Sequence, residues 1–214
     1  VGESELVRQL EQRARRVADA DVTLLLQGET GVGKGVLASW IHRNSPRTSE
    51  PFVDLGCAGL TPELLESELF GYQRGAFTGA ARDKPGLLEI ANRGTVFLDE
   101  IGDVDARVQP RLLKVIEERR FRRLGGVKDR LVDIRIVAAT HQDLERLVVR
   151  GRFREDLFFR LSVFPLLVPP LRERVADIPR LAEHLLYQVA GEIGRSEELR
   201  LTLAAVQLLQ AHPW

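Results

Sequence analysis

The stretch VTLLLQGETGVGKG, Val22 to Gly35, joins a short apolar run to a glycine-rich turn and then to a helix. Val22–Gln27 has the look of a strand buried on both faces of a parallel sheet. Gly28–Gly35 matches the phosphate-binding loop up to its last position. Its glycines let backbone N–H groups turn inward around a β-phosphate. The helix N-terminus adds its dipole, and Lys34 supplies a point charge to the β- and γ-oxygens. The nucleotide-contacting candidates are Gly28, Glu29, Thr30, Gly31, Val32, Gly33, Lys34 and Gly35. A chance glycine-rich turn is the alternative, and the strand–loop–helix context argues against it. A dinucleotide site competes poorly, because Gly28–Gly33 lacks GxGxxG spacing. The departure is Gly35, where a Ser or Thr hydroxyl ordinarily ligates Mg²⁺; the metal must lean on other oxygens, including water and Asp99.

Outward from this loop, strands and helices alternate. Residues 5–18 form an arginine-rich amphipathic helix, and 35–42 a helix after the loop. PFVDLG (51–56) reads as a second buried strand. Thr61 caps a helix at 62–69 with proline in first position. GTVFLDE (94–100) reads as a third buried strand, 105–119 as a helix and VDIRIVAATH (132–141) as a fourth strand. Helical segments at 143–150 and 153–160 precede a strand at 163–167. This rhythm predicts an α/β fold with a parallel sheet covered on both faces. The prolines of VPPLRERVADIP (168–179) mark a linker, and helices at about 178–191 and 202–211 begin a small helical subdomain.

The third strand ends in Asp99 and Glu100, at the carboxyl edge where open α/β sheets bind ligands. Asp99 suits Mg²⁺ coordination through water, and Glu100 suits polarising an attacking water. Two carboxylates merely capping a strand end are the bland alternative.

Bulk composition narrows the rest. The 214 residues carry a formal net charge of +0, so no global field draws the chain to nucleic acid or membrane. Lysine occurs only at positions 34, 84, 114 and 128 against an arginine background. The single cysteine, Cys57, excludes an internal disulfide, fits a reducing cytosolic setting and reads as a small buried hydrophobe. The histidines at 42, 141, 184 and 212 share no metal-ligand spacing. Neither a membrane-length apolar run nor a signal peptide is visible. The ends of the chain read as those of an excised piece.

GYQRGAFTGAARD (71–83) is poor helix and poor strand, yet holds a phenylalanine at its centre. On residues alone, an ordinary mobile loop and a contact loop stand level. ESELFGYQRGAFTGA (66–80), placed between the two ATP motifs, is the specific feature. With it the whole chain resembles the AAA+ ATPase domain of bacterial sigma-54-dependent transcriptional activators, the NtrC-type enhancer-binding proteins.

That resemblance implies a P-loop AAA+ three-layer core over residues 1–170, followed by a partial α-helical lid over 171–214. It implies ATP and Mg²⁺ as ligands, with Asp99 holding the metal through water. The loop Gly75, Ala76, Phe77, Thr78, Gly79 and Ala80 would contact sigma-54 in RNA polymerase holoenzyme, Phe77 and Thr78 at its tip. Val1 and Gly2 resemble the opening segment beside the adenine. Thr140 and His141, in AATHQDL (138–144), resemble the first sensor near the γ-phosphate, where Asn often stands for His141. GRFREDLFFR (151–160) resembles the segment supplying arginine fingers in trans, with Arg154 placed on the phosphate first and Arg160 second. Catalysis would then rest on Glu100, Arg154 and Arg160 in a hexameric or heptameric ring. DNA would be bound through a domain outside this chain, in the bacterial cytoplasm and without a membrane.

RRFRRLGG (119–126) matches the family's second surface loop; a solvated charged face is the favoured reading, and a touch on promoter DNA the sharper one. Three further departures stand out. Gly56 replaces an Asn expected to restrain the catalytic glutamate. Arg93 replaces a small or acidic residue. The second sensor arginine would lie beyond Trp214. Two rival functions remain: an AAA+ remodeller of another protein, and a nucleotide-dependent assembly module with weak turnover.

Overall fold

A computed structural model describes residues 2–194 and 199–214. In chain order the elements are α1 (Glu5–Ala18), β1 (Leu24–Gln27), α2 (Lys34–Arg43), β2 (Phe52–Gly56), α3 (Pro62–Phe70), β3 (Gly71–Tyr72), β4 (Lys84–Pro85), α4 (Leu87–Ile90) and β5 (Thr95–Asp99). There follow α5 (Gln109–Glu118), β6 (Arg120–Phe121), β7 (Arg130–Leu131), β8 (Arg135–Thr140), α6 (Leu144–Val149), α7 (Glu155–Leu161), β9 (Phe164–Leu167), α8 (Ile178–Glu192) and α9 (Leu203–Ala211). Five strands pair in parallel in the order β2-β5-β8-β1-β9. The arrangement is the α/β fold that the alternation implied.

Side-chain alternation along the central strands shows why helices cover both faces. Leu25, Val96, Leu98, Ile136 and Ala138 join the larger core cluster, with residues of α3, α5 and α7. Their neighbours Leu24, Leu26, Phe97, Val137 and Ala139 point the other way, against Ala14, Val17, Ala38 and Ile41 of α1 and α2. Burial of such side chains stabilises by about 1.5–3 kcal/mol each, so neither face tolerates a polar run. Phe97 stacks on Phe52, which tilts against the buried His42; His42 Nδ1 lies 3.0 Å from Thr95 Oγ1.

Two expectations change. β2 is not buried on both faces, because it forms an edge of the sheet and its residues are half-buried or exposed. The helix expected from Asp105 starts at Gln109: the Asp105 carboxylate accepts the Arg107 amide at 2.9 Å, which stabilises a turn, and Pro110 then sits in the first helical turn. Within the proline-bearing linker, 171–173 and 175–177 form two short 3₁₀ turns. Thr61 caps α3 as expected, its hydroxyl accepting the Leu64 amide at 3.3 Å. Arg93 takes a left-handed conformation (φ 71°) in the turn before β5, and its carbonyl accepts from Arg47 at 2.7 Å.

Candidate nucleotide site

The glycine-rich loop leaves β1 at Gly28 and enters α2 at Lys34. Gly28 allows the close approach, since a Cβ there would lie 2.7 Å from the Val168 carbonyl. Gly33 adopts φ 102° and forms the N-terminal boundary of α2, a conformation that costs glycine little. Lys34 follows at once and is only 5% exposed. Its ammonium donates to the carbonyls of Gly28 (3.0 Å) and Glu29 (3.1 Å) and lies 3.4 Å from Glu100 Oε1. A buried ammonium requires such partners.

Parallel pairing of β5 and β8 brings the second half of the site alongside. Glu100 takes a left-handed turn (φ 54°) straight after β5, and its amide donates to Asp99 Oδ1 at 3.0 Å. Glu100 Oε2 accepts the His141 amide at 3.2 Å and lies 2.7 Å from His141 Nδ1. Burial pushes the Glu100 carboxyl upward, but the His141 hydrogen bonds and the Lys34 charge outweigh it and hold the pKa below the usual value. Both Glu100 oxygens are therefore engaged. Thr140 is fully buried, and its hydroxyl oxygen accepts the Gln142 amide at 3.0 Å. The Thr140 carbonyl accepts from the Gly28 amide at 3.2 Å, joining the end of β8 to the glycine-rich loop.

Lys34 and His141 thus each contact Glu100, on different oxygens, with Asp99 beside it. Val1 lies outside the described residues. Gly2 sits beside Asp177, where a Cβ would meet the carboxylate at 2.9 Å. Arg154 and Arg160 are not brought to Lys34 or Glu100 within the chain: Arg154 pairs with Asp156 (2.7 Å) and Arg160 with Glu117 (2.7 Å).

Cofactor fit follows from the donors. Among the described residues no three His, Cys, Asp or Glu side chains cluster as a metal cage. Asp99 presents one carboxylate at the strand end, and Gly35 presents no hydroxyl. Mg²⁺ keeps several waters and binds through one or two carboxylates plus substrate phosphates, so this sparse set fits Mg²⁺ bound with a nucleotide.

Three contacts were not foreseen from sequence. Arg172 grips Glu29 with two nitrogens, at 2.5 and 2.8 Å, and the bond lowers the Glu29 pKa. Arg174 donates to the Val32 carbonyl at 2.8 Å. Asp177 accepts the amides of Glu3 (2.5 Å) and Ser4 (2.7 Å) and the Ser4 hydroxyl (2.6 Å), clasping the opening segment to the linker. The only sequence signal was arginines and an aspartate in a proline-rich linker.

The 75–80 loop is a pair of turns closed by Gly75 N–H donating to Ala80 O at 2.9 Å. Thr78 is exposed. Phe77 is 47% exposed, its ring edge-on to Tyr72 with centroids 4.9 Å apart, so it leans on its own stem rather than standing free. A groove of about 630 Å³ opens beside it, lined by Leu64, Glu68, Tyr72, Leu124 and Gly125 among others. Within the basic run beside this loop, Arg120 and Arg122 pair with Asp129, and Arg123 with Glu89 and Asp83, while Arg119 donates to the Ile134 carbonyl.

Residues 1–167 match the family model described as Sigma-54 interaction domain. The Nif-specific regulatory protein of Azotobacter vinelandii is 50% identical over 216 residues, covering 100% of this chain and 41% of that protein. The chain thus spans less than half the length of that relative. NtrX from Brucella abortus superposes with a TM-score of 0.92 at 40% identity, covering 100% of this chain and 48% of that one. NtrX structures in complex with ADP and with ATP each give 0.91. The P-loop NTPase domain of a sigma-54 transport activator from E. coli, at 19% identity and TM-score 0.54 over 80% of this chain, shares the fold.

Proposed function

The chain belongs to the sigma-54 interaction domain family, and we propose that it is an ATPase module that remodels sigma-54-bound RNA polymerase at closed promoter complexes. The observation that carries this reading is the junction of Lys34, Glu100 and His141 at the carboxyl edge of the sheet, on a chain that also holds an intact Gly75–Ala80 loop. Lys34 would exchange its loop carbonyls for the β- and γ-phosphates of ATP. Mg²⁺, when bound through Asp99 and water, would neutralise phosphate charge. Glu100 would orient the attacking water, released from Lys34 as phosphate arrives and steadied by His141. Gly28 to Gly35 would wrap the phosphates, Gly2 would border the nucleotide, and Thr140 would hold the sensor strand to the loop.

Within the chain Arg154 is held by Asp156 and Arg160 by Glu117, and both would serve a neighbouring protomer in a ring of six or seven. An arginine supplied in this way is worth about 10³–10⁵ in rate. We place the boundary between core and partial lid at 170/171. Phe77 would leave Tyr72 and, with Thr78, engage sigma-54; an aromatic on a glycine-flanked loop is a ready anchor. DNA binding belongs to a part of the protein outside this chain, in a bacterial cytoplasm.

The test pairs phosphate release with capture of purified sigma-54 in the presence of ADP and a metal fluoride, with Thr78→Ala as control. Analogue-dependent capture lost in the control is the expected result. Hydrolysis without capture would indicate a remodeller of another target, and capture of neither kind with nucleotide still bound a weakly active assembly module.

A further inference from the structure

Helix α5 is bonded on one face to the arginine-bearing segment and on another to the stem of the 75–80 loop. On the first face the fully buried Gln109 accepts the Arg154 amide at 2.8 Å and donates to the Arg152 carbonyl at 3.0 Å, while Glu117 holds Arg160 at 2.7 Å. Its N-terminus is tied to the strand end that bears Glu100, because Gln109 also donates to the Val104 carbonyl at 2.9 Å, just past the 3₁₀ turn Ile101–Asp103.

Two residues beyond Gln109, and so about 200° around the helix, stands Arg111. Its guanidinium makes three different contacts. Nη1 lies 3.2 Å from Glu66 Oε1 in α3, Nη2 donates to the Arg122 carbonyl at 2.9 Å, and the group sits 4.1 Å above the Phe70 ring. Phe70 is the last residue of α3, is fully buried, and runs directly into Gly71 at the foot of the loop. Arg122 belongs to the second surface loop, whose Leu124 exchanges hydrogen bonds with Gly71 and Gln73. One side chain thus grips the stem of the first loop and the backbone of the second. The neighbouring Arg107–Glu63 pair, between the turn before α5 and α3, is largely solvated and weak for that reason.

We infer that Arg111 is the positioning residue through which α5 passes the state of the nucleotide site to the Gly75–Ala80 loop. The inference rests on the function proposed above. A planar fork can bond a carboxylate and a carbonyl while stacking on a ring, which an ammonium cannot do. Any shift of α5 that follows engagement of Glu100 or of the arginine segment is then carried to Phe70 and on to Gly71. A brace with no such role would affect melting temperature alone.

The experiment labels Thr78→Cys with an environment-sensitive dye. Cys57 is 2% exposed, and burial raises its thiol pKa to about 12, so it stays unlabelled. The dye's response to ADP with metal fluoride, phosphate release and melting temperature are read in the labelled parent and in Arg111→Leu and Arg111→Lys. The expected result is that Arg111→Leu hydrolyses ATP within about twofold of the parent while its dye response falls about fivefold, a typical loss of coupling between sites. Arg111→Lys, which keeps charge toward Glu66 but loses the fork, falls between. An undiminished response in Arg111→Leu overturns the inference, as does a parallel fall of response and hydrolysis. A parent that hydrolyses ATP without any dye response overturns the loop's proposed role itself, and with it any coupling by Arg111.

Discussion

Replacing Gly35 with serine should strengthen both the fold and the metal site. Gly35 is the second residue of α2, outside the positive-φ glycines, and a Cβ there would meet only Phe97 Cε1, at 3.6 Å, an ordinary contact. The helix therefore gains a residue of better propensity at no steric cost, about 0.5 kcal/mol. For a chain of this size that is roughly 1–2 °C in Tm. The hydroxyl also supplies the oxygen that the motif lacks. Replacing a water beside the cation with it should contribute on the order of 1.5 kcal/mol, as for other polar contacts to charge, and so lower the Mg²⁺ concentration at half-maximal phosphate release about tenfold. The assay is a Mg²⁺ titration at fixed ATP, run beside thermal melts of the nucleotide-free proteins. An unchanged Mg²⁺ dependence with raised Tm would show that the metal does not approach position 35. A lowered Tm would refute the packing argument itself.

Phe97→Ala, which empties a fully buried site between the Phe52 ring and α2, should cost about 3–5 kcal/mol in chemical denaturation. Asp177→Asn should destabilise by about 1–3 kcal/mol near neutral pH. Burial raises the Asp177 pKa, but the bonds from Ser4 and Glu3 outweigh this and leave it below the usual value. The stability it confers is then complete above the unfolded-state value of about 4 and fades as pH falls through the lower folded value; denaturation curves of parent and variant should converge in acid, and a gap persisting there would contradict the assignment. Glu100→Gln and Arg154→Ala chains should each be nearly inactive in phosphate release, yet an equimolar mixture should recover roughly a quarter of parental activity, because a quarter of the head-to-tail interfaces in randomly mixed rings join an intact Glu100 to an intact Arg154. No recovery on mixing would place Arg154 outside a neighbour's site.

Local chemistry made β1, the phosphate loop and the α3 cap readable. Each is set by residues within a few positions: apolar side chains in a row, glycines at a turn, Thr61 before Pro62. Sheet position was not readable. FVDLG is as apolar as many interior strands, and it is the long-range pairing with β5, with no strand on the other side among the described residues, that makes β2 an edge. The start of α5 was misjudged because Asp105 can cap a helix or close a turn, and its bond to the Arg107 amide takes the second course. The Glu29–Arg172 pair spans 143 positions, a separation at which no motif carries information.

The arrangement around Glu100 shows how a departure in one strand can be structurally absorbed by another. At Gly56 a Cβ would find no atom within 4 Å, so that edge of the site is open and exerts no restraint. Across β5, the β8 strand ends in Thr140, and the next residue, His141, reaches Glu100 with both its amide and its ring. Parallel register makes this possible: Leu98 pairs with Ala138, so the two strands run out together and the residues beyond them meet. An asparagine's reach from β2 is therefore not needed to fix the carboxylate. What fixes it instead is the Lys34 ammonium on one oxygen and the His141 amide and ring on the other. Because Lys34 holds only one of the two oxygens, its transfer to a nucleotide would free Glu100 on one side while His141 still held the other.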